Sequence, residues 1–474
     1  MDAVHEQLSE SASADSFLKA EKIREEGSRL LRLTYPSDTP PAFGSFVCDV
    51  CDALGRLILD QYRAPATPAE ERELTLVTIC LVARIAPMLG FVEGATSDKT
   101  PANLVLPLER IGEAVLPGSK FIISRQWRYN YTVIELRQLL ESPLRAILSP
   151  NECDRLLTKL SPNLYAMSFP AIERENVLLH VNFAHEVGHP LEAQYFLPER
   201  AASVLIELRR RIEREMPGAG VVRLVSTIGR ASELTDAATR ELFSDAISAS
   251  VFGPSALFAL SEVARLSESM DEIAEDMHPP WRLRLRHIVK VLQERGFLDQ
   301  EDFTLKAWPE ATTGLPNDVK RKVDDWLAEI GDITSQTSDR QAIAGDIAAR
   351  CAYEIVERTL PDVREFARAN LADPYTCEEF RDDVPELLGR LFHDLPPNQI
   401  EEAHNKVRPV KVASILAAGW LFRLAELLSL ADQPPRDYTQ RVGLLNRLIL
   451  KALELKTIQD HFGAFHGTVE QGGD

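Results

Sequence analysis

Apolar residues recur every three to four positions along most of the chain, the spacing that turns one face of a helix toward a core. The pattern predicts helices over 46–62 and 73–85, and a turn-rich passage follows over 94–101. Between there and residue 170 the signal changes. The segments 121–123, 131–134 and 164–169 are short and rich in β-branched and aromatic residues, which predicts strands. A long helical pattern runs over 174–189, then a polar passage over 299–317 reads as a linker. Helical spacing resumes over 318–330, 339–359, 362–371, 385–391, 410–430 and 436–455, and the tail 471–474 is expected to fray. The expected fold class is mainly α with a small β-sheet, an α+β arrangement. Its expected parts are a helical N-terminal region over 1–115, a middle domain over 116–297 and a helical C-terminal domain over 298–474.

Composition narrows what such a fold does. Among 474 residues, 53 Lys and Arg face 72 Asp and Glu, a net charge of −19. A charge of that sign gives no broad attraction to phosphate backbones, so no nucleic-acid partner is expected. The stretch over 74–92 is apolar enough to test as a membrane span, but Arg84 sits near its middle and Pro87 soon after. A central Arg costs about 2.5–3.5 kcal/mol on insertion scales, so a buried helix, and no stable membrane span, is expected. The first residues are acidic and Ser-rich, unlike a secretory leader, and the six cysteines are scattered. A reducing, cytoplasmic location is the expectation.

One string concentrates the chemistry. His185-Glu186-Val187-Gly188-His189 is an HExxH pattern. Residues four apart share a helix face, so two imidazoles can close on one ion while Glu186 reaches a water beside it. Neutral imidazoles suit Zn2+, which lowers the pKa of bound water toward about 7. Val177 and Val181 extend the His185 and His189 stripe backward, and Pro190 is expected to end or kink the helix. A hydrolytic zinc site needs a third protein ligand and an open position. Glu241 and Asp245 lie one turn apart in a fairly apolar helical pattern over 235–252, so one carboxylate can bind the metal while the other accepts from a ligand His. Glu233 and Asp236 are nearby competitors for the ligand role.

HExxH followed by a helix bearing ExxxD resembles the gluzincin metallopeptidases. The resemblance implies His185, His189 and Glu241 as zinc ligands, Glu186 as general base, and Asp245 as the orienter of His185. The 51 residues between His189 and Glu241 look closer to the HtpX-like branch. The segment beginning His278-Pro279-Pro280, with Arg284 and Leu285, also resembles that branch. It implies that His278 donates to the oxyanion or substrate and that Arg284 binds near the acidic cluster. The resemblance covers about 164–296, so the middle region is expected to be a zincin-like metallopeptidase domain. Its HtpX-like relatives carry membrane helices that this chain lacks by the reading above, and Pro190 directly after the motif is a departure.

The expected protein is thus a zinc-dependent peptidase that hydrolyses peptide bonds in a peptide or protein substrate through an activated water. The competing expectation is a non-catalytic zincin-fold binding or regulatory protein. In either case the C-terminal helices are available for a regulatory partner or self-association. The strand over 164–169, just before the HExxH helix in sequence, is expected to offer an edge to an extended peptide. Other features have plainer readings: Cys48 and Cys51 as buried thiols, His180 as a His pointing away from the metal, 206–214 as a half-exposed helix. Trp420, Leu421, Leu424 and Leu427 read as core.

Overall fold

The computed structural model describes residues 2–63, 67–195, 197–267, 269–274, 277–301, 303–305, 319–402, 406–427 and 435–470. It is mainly helical with a small sheet. The tail 471–474, and most of the linker expected over 299–317, lie outside the described residues. Contacts divide the chain into two units, Met1–Arg174 and Glu175–Asp474. Helices late in the chain pack directly on the helix that carries Glu241 and Asp245.

In the first unit, α1 (Asp2–Leu30), α2 (Thr39–Arg63), α3 (Pro68–Gly94) and α4 (Ala102–Val115) precede β1 (Ser119–Gln126) and β2 (Thr132–Glu135). Then come α5 (Leu136–Ile147), α6 (Pro150–Leu157) and β3 (Asn163–Pro170). Thr67 caps α3 with a reciprocal capping box to Glu70, which fixes where the helix starts. By length and composition, 69–94 is the one helix among the described residues able to cross a membrane, and 39% of its most apolar window is buried. Leu81, Ile85, Leu89 and Val92 join Phe43, Phe46 and Leu54 in one core, and Arg84 donates to the Leu139 carbonyl at 3.0 Å. Cys51 lies in that core as well, where burial pushes its thiol up to about 12 and leaves it unreactive.

The sheet order is β1-β3-β2, with β3 parallel to β1 and antiparallel to β2. This corrects the expectation that 164–169 offers a free edge. Both sides of β3 are already hydrogen-bonded, and Phe169 is fully buried, so an added strand has nothing to pair with there.

The second unit begins with a 3-10 turn, Val177–Val181, before α7 (Asn182–Tyr195), α8 (Leu197–Glu215), α9 (Val221–Phe252), α10 (Pro254–Ala264) and α11 (Trp281–Glu294). After these come α12 (Val319–Ser335), α13 (Ser338–Ile343), α14 (Ile347–Asn370) and α15 (Cys377–Phe392). The hairpin β4 (Gln399–Glu402) and β5 (Lys406–Pro409) leads to α16 (Val412–Leu427) and α17 (Pro435–Glu470). Three expectations change here. The HExxH helix starts at Asn182 rather than 174, so Val177 and Val181 stand on a tighter 3-10 turn and not on the α-helical stripe of the two imidazoles. Pro190 lies inside α7, which continues to Tyr195, and Pro361 likewise lies inside α14. Each proline removes one intrahelical bond, and packing on both sides holds the helix together regardless. The hairpin β4–β5 was not expected at all; with four residues per strand and several charges it carries almost no strand signature.

Close approach requires glycine at Gly253 and at Gly188. Gly253 ends α9 at φ 57, and a Cβ there would come within 2.9 Å of the Tyr375 ring. Gly188, inside the HExxH motif, lies against Ser244 of α9, where a Cβ would come within 2.7 Å of the Ser244 Cα. The helices α7 and α9 therefore touch backbone to backbone at the motif itself. Farther along, the indole N–H of Trp420 on α16 donates to the Leu178 carbonyl at 3.1 Å, tying the C-terminal helices to the turn that feeds α7. Trp420, Leu421 and Leu424 are core, whereas the Leu427 side chain lies outside the described residues. On α8, Leu208 and Ile212 are buried while Ile206 is exposed, so this helix has one face in solvent.

Candidate metal centre

The contact of Gly188 with Ser244 sets the spacing of everything above it. His185 and His189 stand one turn apart on α7, with ring centroids 4.9 Å apart and planes nearly perpendicular. Glu241 and Asp245 stand one turn apart on α9. His185 Nε2 lies 3.3 Å from Glu241 Oε2, and His189 Nε2 lies 3.5 Å from Glu241 Oε1. The ligand atoms of His185, His189 and Glu241 all fall within 4.8 Å of one another, which makes this a possible metal site. Donors about 2.0–2.2 Å from one tetrahedral ion lie roughly 3.3–3.5 Å apart, so a pair of these separations already suits a small divalent cation.

The far nitrogens of the rings are held as well. His185 Nδ1 lies 2.8 Å from Asp245 Oδ1, which fixes the ring so that Nε2 turns toward Glu241. His189 Nδ1 lies 3.1 Å from the Ser244 hydroxyl. Sequence reading passed over Ser244, although its position three residues after Glu241 puts it on the same helix face. Glu233 and Asp236, the competing carboxylates, are not part of the cluster that could hold an ion.

Arg284, on α11, closes the acidic side. Its Nε and Nη2 donate to the two oxygens of Asp245 at 2.9 and 2.8 Å, and Nη1 lies 3.1 Å from Glu241 Oε2. The guanidinium stacks over the Trp281 ring at 4.8 Å, a contact not anticipated from the sequence. His278 precedes α11 on a loop whose neighbour Met277 has φ 68. Its side chain is 43% exposed and its Nε2 lies 3.1 Å from Glu241 Oε1. His185, His189, Asp245, His278 and Arg284 therefore meet around Glu241, and Glu186, next to His185 on α7, feels the charge of both His185 and Glu241.

Burial and charge set the protonation of the cluster. Burial alone would raise the Asp245 carboxyl, but the Arg284 charge and its hydrogen bonds hold it down at about 2. Burial opposes ionisation of Glu241 too, and Arg284 with the His185 and His278 hydrogen bonds keeps it well below the usual carboxylate range. His185 is pulled down by burial and raised more strongly by Asp245 and Glu241, ending at about 10. His189, buried and facing His185, is pushed down to about 3 and is neutral. Glu186 is pushed up by burial to about 7, the range in which a carboxylate both holds and releases a proton near neutral pH.

No protein-family model matches the chain, and comparison with curated proteins and with solved structures found no match.

Proposed function

We propose that the protein is a zinc-dependent peptidase of gluzincin type, with a zincin-like domain closest in motif pattern to the HtpX-like branch. The observation that carries this reading is the convergence of His185, His189 and Glu241 from two helices, with donor atoms within 4.8 Å of one another and Glu186 beside them. The donor set fits the ion: two imidazole nitrogens and one carboxylate leave a tetrahedral position open. Zinc held there supplies Lewis acidity, lowering the pKa of a water and polarising a scissile carbonyl.

The remaining chemistry belongs to the chain. Asp245 orients the His185 ring, and Ser244 orients that of His189. Arg284 fixes Asp245 through two hydrogen bonds and keeps it ionised. Glu186, with its carboxyl near pH 7, takes a proton from the attacking water and later passes it to the leaving amine. His278, partly exposed at the edge of the cluster, is placed to donate to the oxyanion of the tetrahedral intermediate.

Metal analysis of the purified protein, with cleavage of a peptide library, tests the reading. The expected result is one zinc per chain and hydrolysis that Glu186→Gln abolishes while the metal stays bound. Zinc retention with no cleavage of any peptide or denatured protein by the wild type would overturn it.

A second reading draws on one specific observation. Arg284 lies within 3.5 Å of His185 Nε2 and 3.1 Å of Glu241 Oε2, so a guanidinium can neutralise the acidic pair without any metal. On this reading the chain is a zincin-fold binding or regulatory protein. Its signature is a wild type that takes up no zinc at neutral pH.

A further inference from the structure

Away from the metal centre, the end of α11 and the second half of α14 enclose a cavity of about 200 Å3. Its walls include Ser250, Arg295, Arg364 and Arg368, together with the carboxylates Glu294 and Glu365. Three guanidinium groups thus face two carboxylates, leaving one positive charge uncompensated in a chain whose net charge is −19.

The three arginines are not equivalent. Arg364 is engaged, its Nε donating to Glu294 at 2.8 Å. Arg295 donates through Nη2 to the Tyr375 carbonyl at 2.6 Å, but its Nε is buried with no hydrogen-bond partner. Burial, and then the charge of Arg368, hold the Arg295 guanidinium below its usual range. Arg368 is exposed at the cavity wall and, among the described residues, makes no ion pair. A buried N–H without an acceptor and an excess positive charge each raise the free energy of the folded chain. An oxyanion offers acceptors to both guanidinium groups and cancels the charge. The volume is below the range of about 300–1,000 Å3 typical of drug-sized ligands, so it suits a small head group.

We propose that this cavity binds a small oxyanion, a phosphoryl group or a carboxylate, held between Arg295 and Arg368. The site involves none of the residues of the metal centre and does not depend on the peptidase reading. The test uses the full chain in zinc-free buffer with chelator, titrated calorimetrically with inorganic phosphate and separately with succinate, at ionic strength matched by sodium chloride. Saturable binding is expected for one of them, and the one that binds more tightly identifies the chemistry. Arg368→Ala, an exposed substitution outside the metal centre, is expected to weaken that binding by about tenfold or more, the cost of one charge-assisted hydrogen bond. Arg295→Lys should weaken it as well. Absence of saturable binding to both anions, or binding unchanged by Arg368→Ala, would overturn the proposal.

Discussion

The Ser244 hydroxyl lies 3.1 Å from Nδ1 of His189, and the same serine forms the wall against which Gly188 packs. One residue thus sets both the helix spacing and the orientation of an imidazole. Removing the hydroxyl while keeping the small side chain separates these roles. Ser244→Ala should leave the fold intact and weaken zinc binding by about 10–100-fold, as loss of an outer hydrogen bond to a ligand His commonly does. Competition against a chelator of known affinity measures it; an unchanged affinity would remove Ser244 from the site.

Gly188→Ala probes the other role. A Cβ at that position meets backbone, the Ser244 Cα at 2.7 Å, so the helices must part. The expected cost is about 1–3 kcal/mol in urea unfolding, with a weaker metal site because the donors on α7 and α9 separate. Wild-type stability and affinity would show that the two helices shift without penalty.

Metal uptake should release a proton. In the metal-free chain His185 is protonated up to about pH 10, and a ligand imidazole must be neutral. Calorimetry at pH 8 in buffers of different ionisation enthalpy should therefore show about one proton leaving per zinc. Asp245→Asn, which removes the main partner of the imidazolium, should reduce that number. The raised pKa also has a sign for stability. The metal-free chain gains from the His185 ion pairs below about pH 6.5 and loses that gain as pH rises through about 10, and thermal unfolding across this range should follow.

Arg284→Met should destabilise the metal-free protein by about 3–5 kcal/mol, because it leaves Asp245 and Glu241 buried without their main counter-charge. Zinc should restore part of that loss by supplying positive charge at Glu241. Chemical unfolding with and without zinc separates the two contributions. A variant as stable as the wild type without metal would show that the acidic pair needs no cation.

Much of the site was legible from spacing alone. His185 and His189 are four residues apart, and so are Glu241 and Asp245, and helical geometry puts each pair on one face. That the two pairs meet was expected from the donor set and the resemblance, but how they meet was not legible: nothing local shows that the small residue at Gly188 is what lets α7 approach α9. Ser244 was missed for the same reason, since a serine matters there only once His189 stands opposite. The prolines show the reverse failure. Pro190 was expected to end or kink its helix, and the pattern broke between 359 and 362, yet tertiary packing carries α7 on past Pro190 and α14 through Pro361.

The sequence by itself determined the mainly helical class, three of the strand segments and the residue types of a possible metal site, because periodicity, β-branching and donor chemistry are local properties. Tertiary structure decided the rest: which strand is central and so unavailable, which helices pack around Glu241, and what each titratable group is worth. Those depend on burial and on charges brought close by folding. Arg284 and Asp245 are 39 residues apart in the chain; the resemblance placed Arg284 near the acidic cluster, but that it pairs with both oxygens of Asp245 has no trace in the local pattern of either.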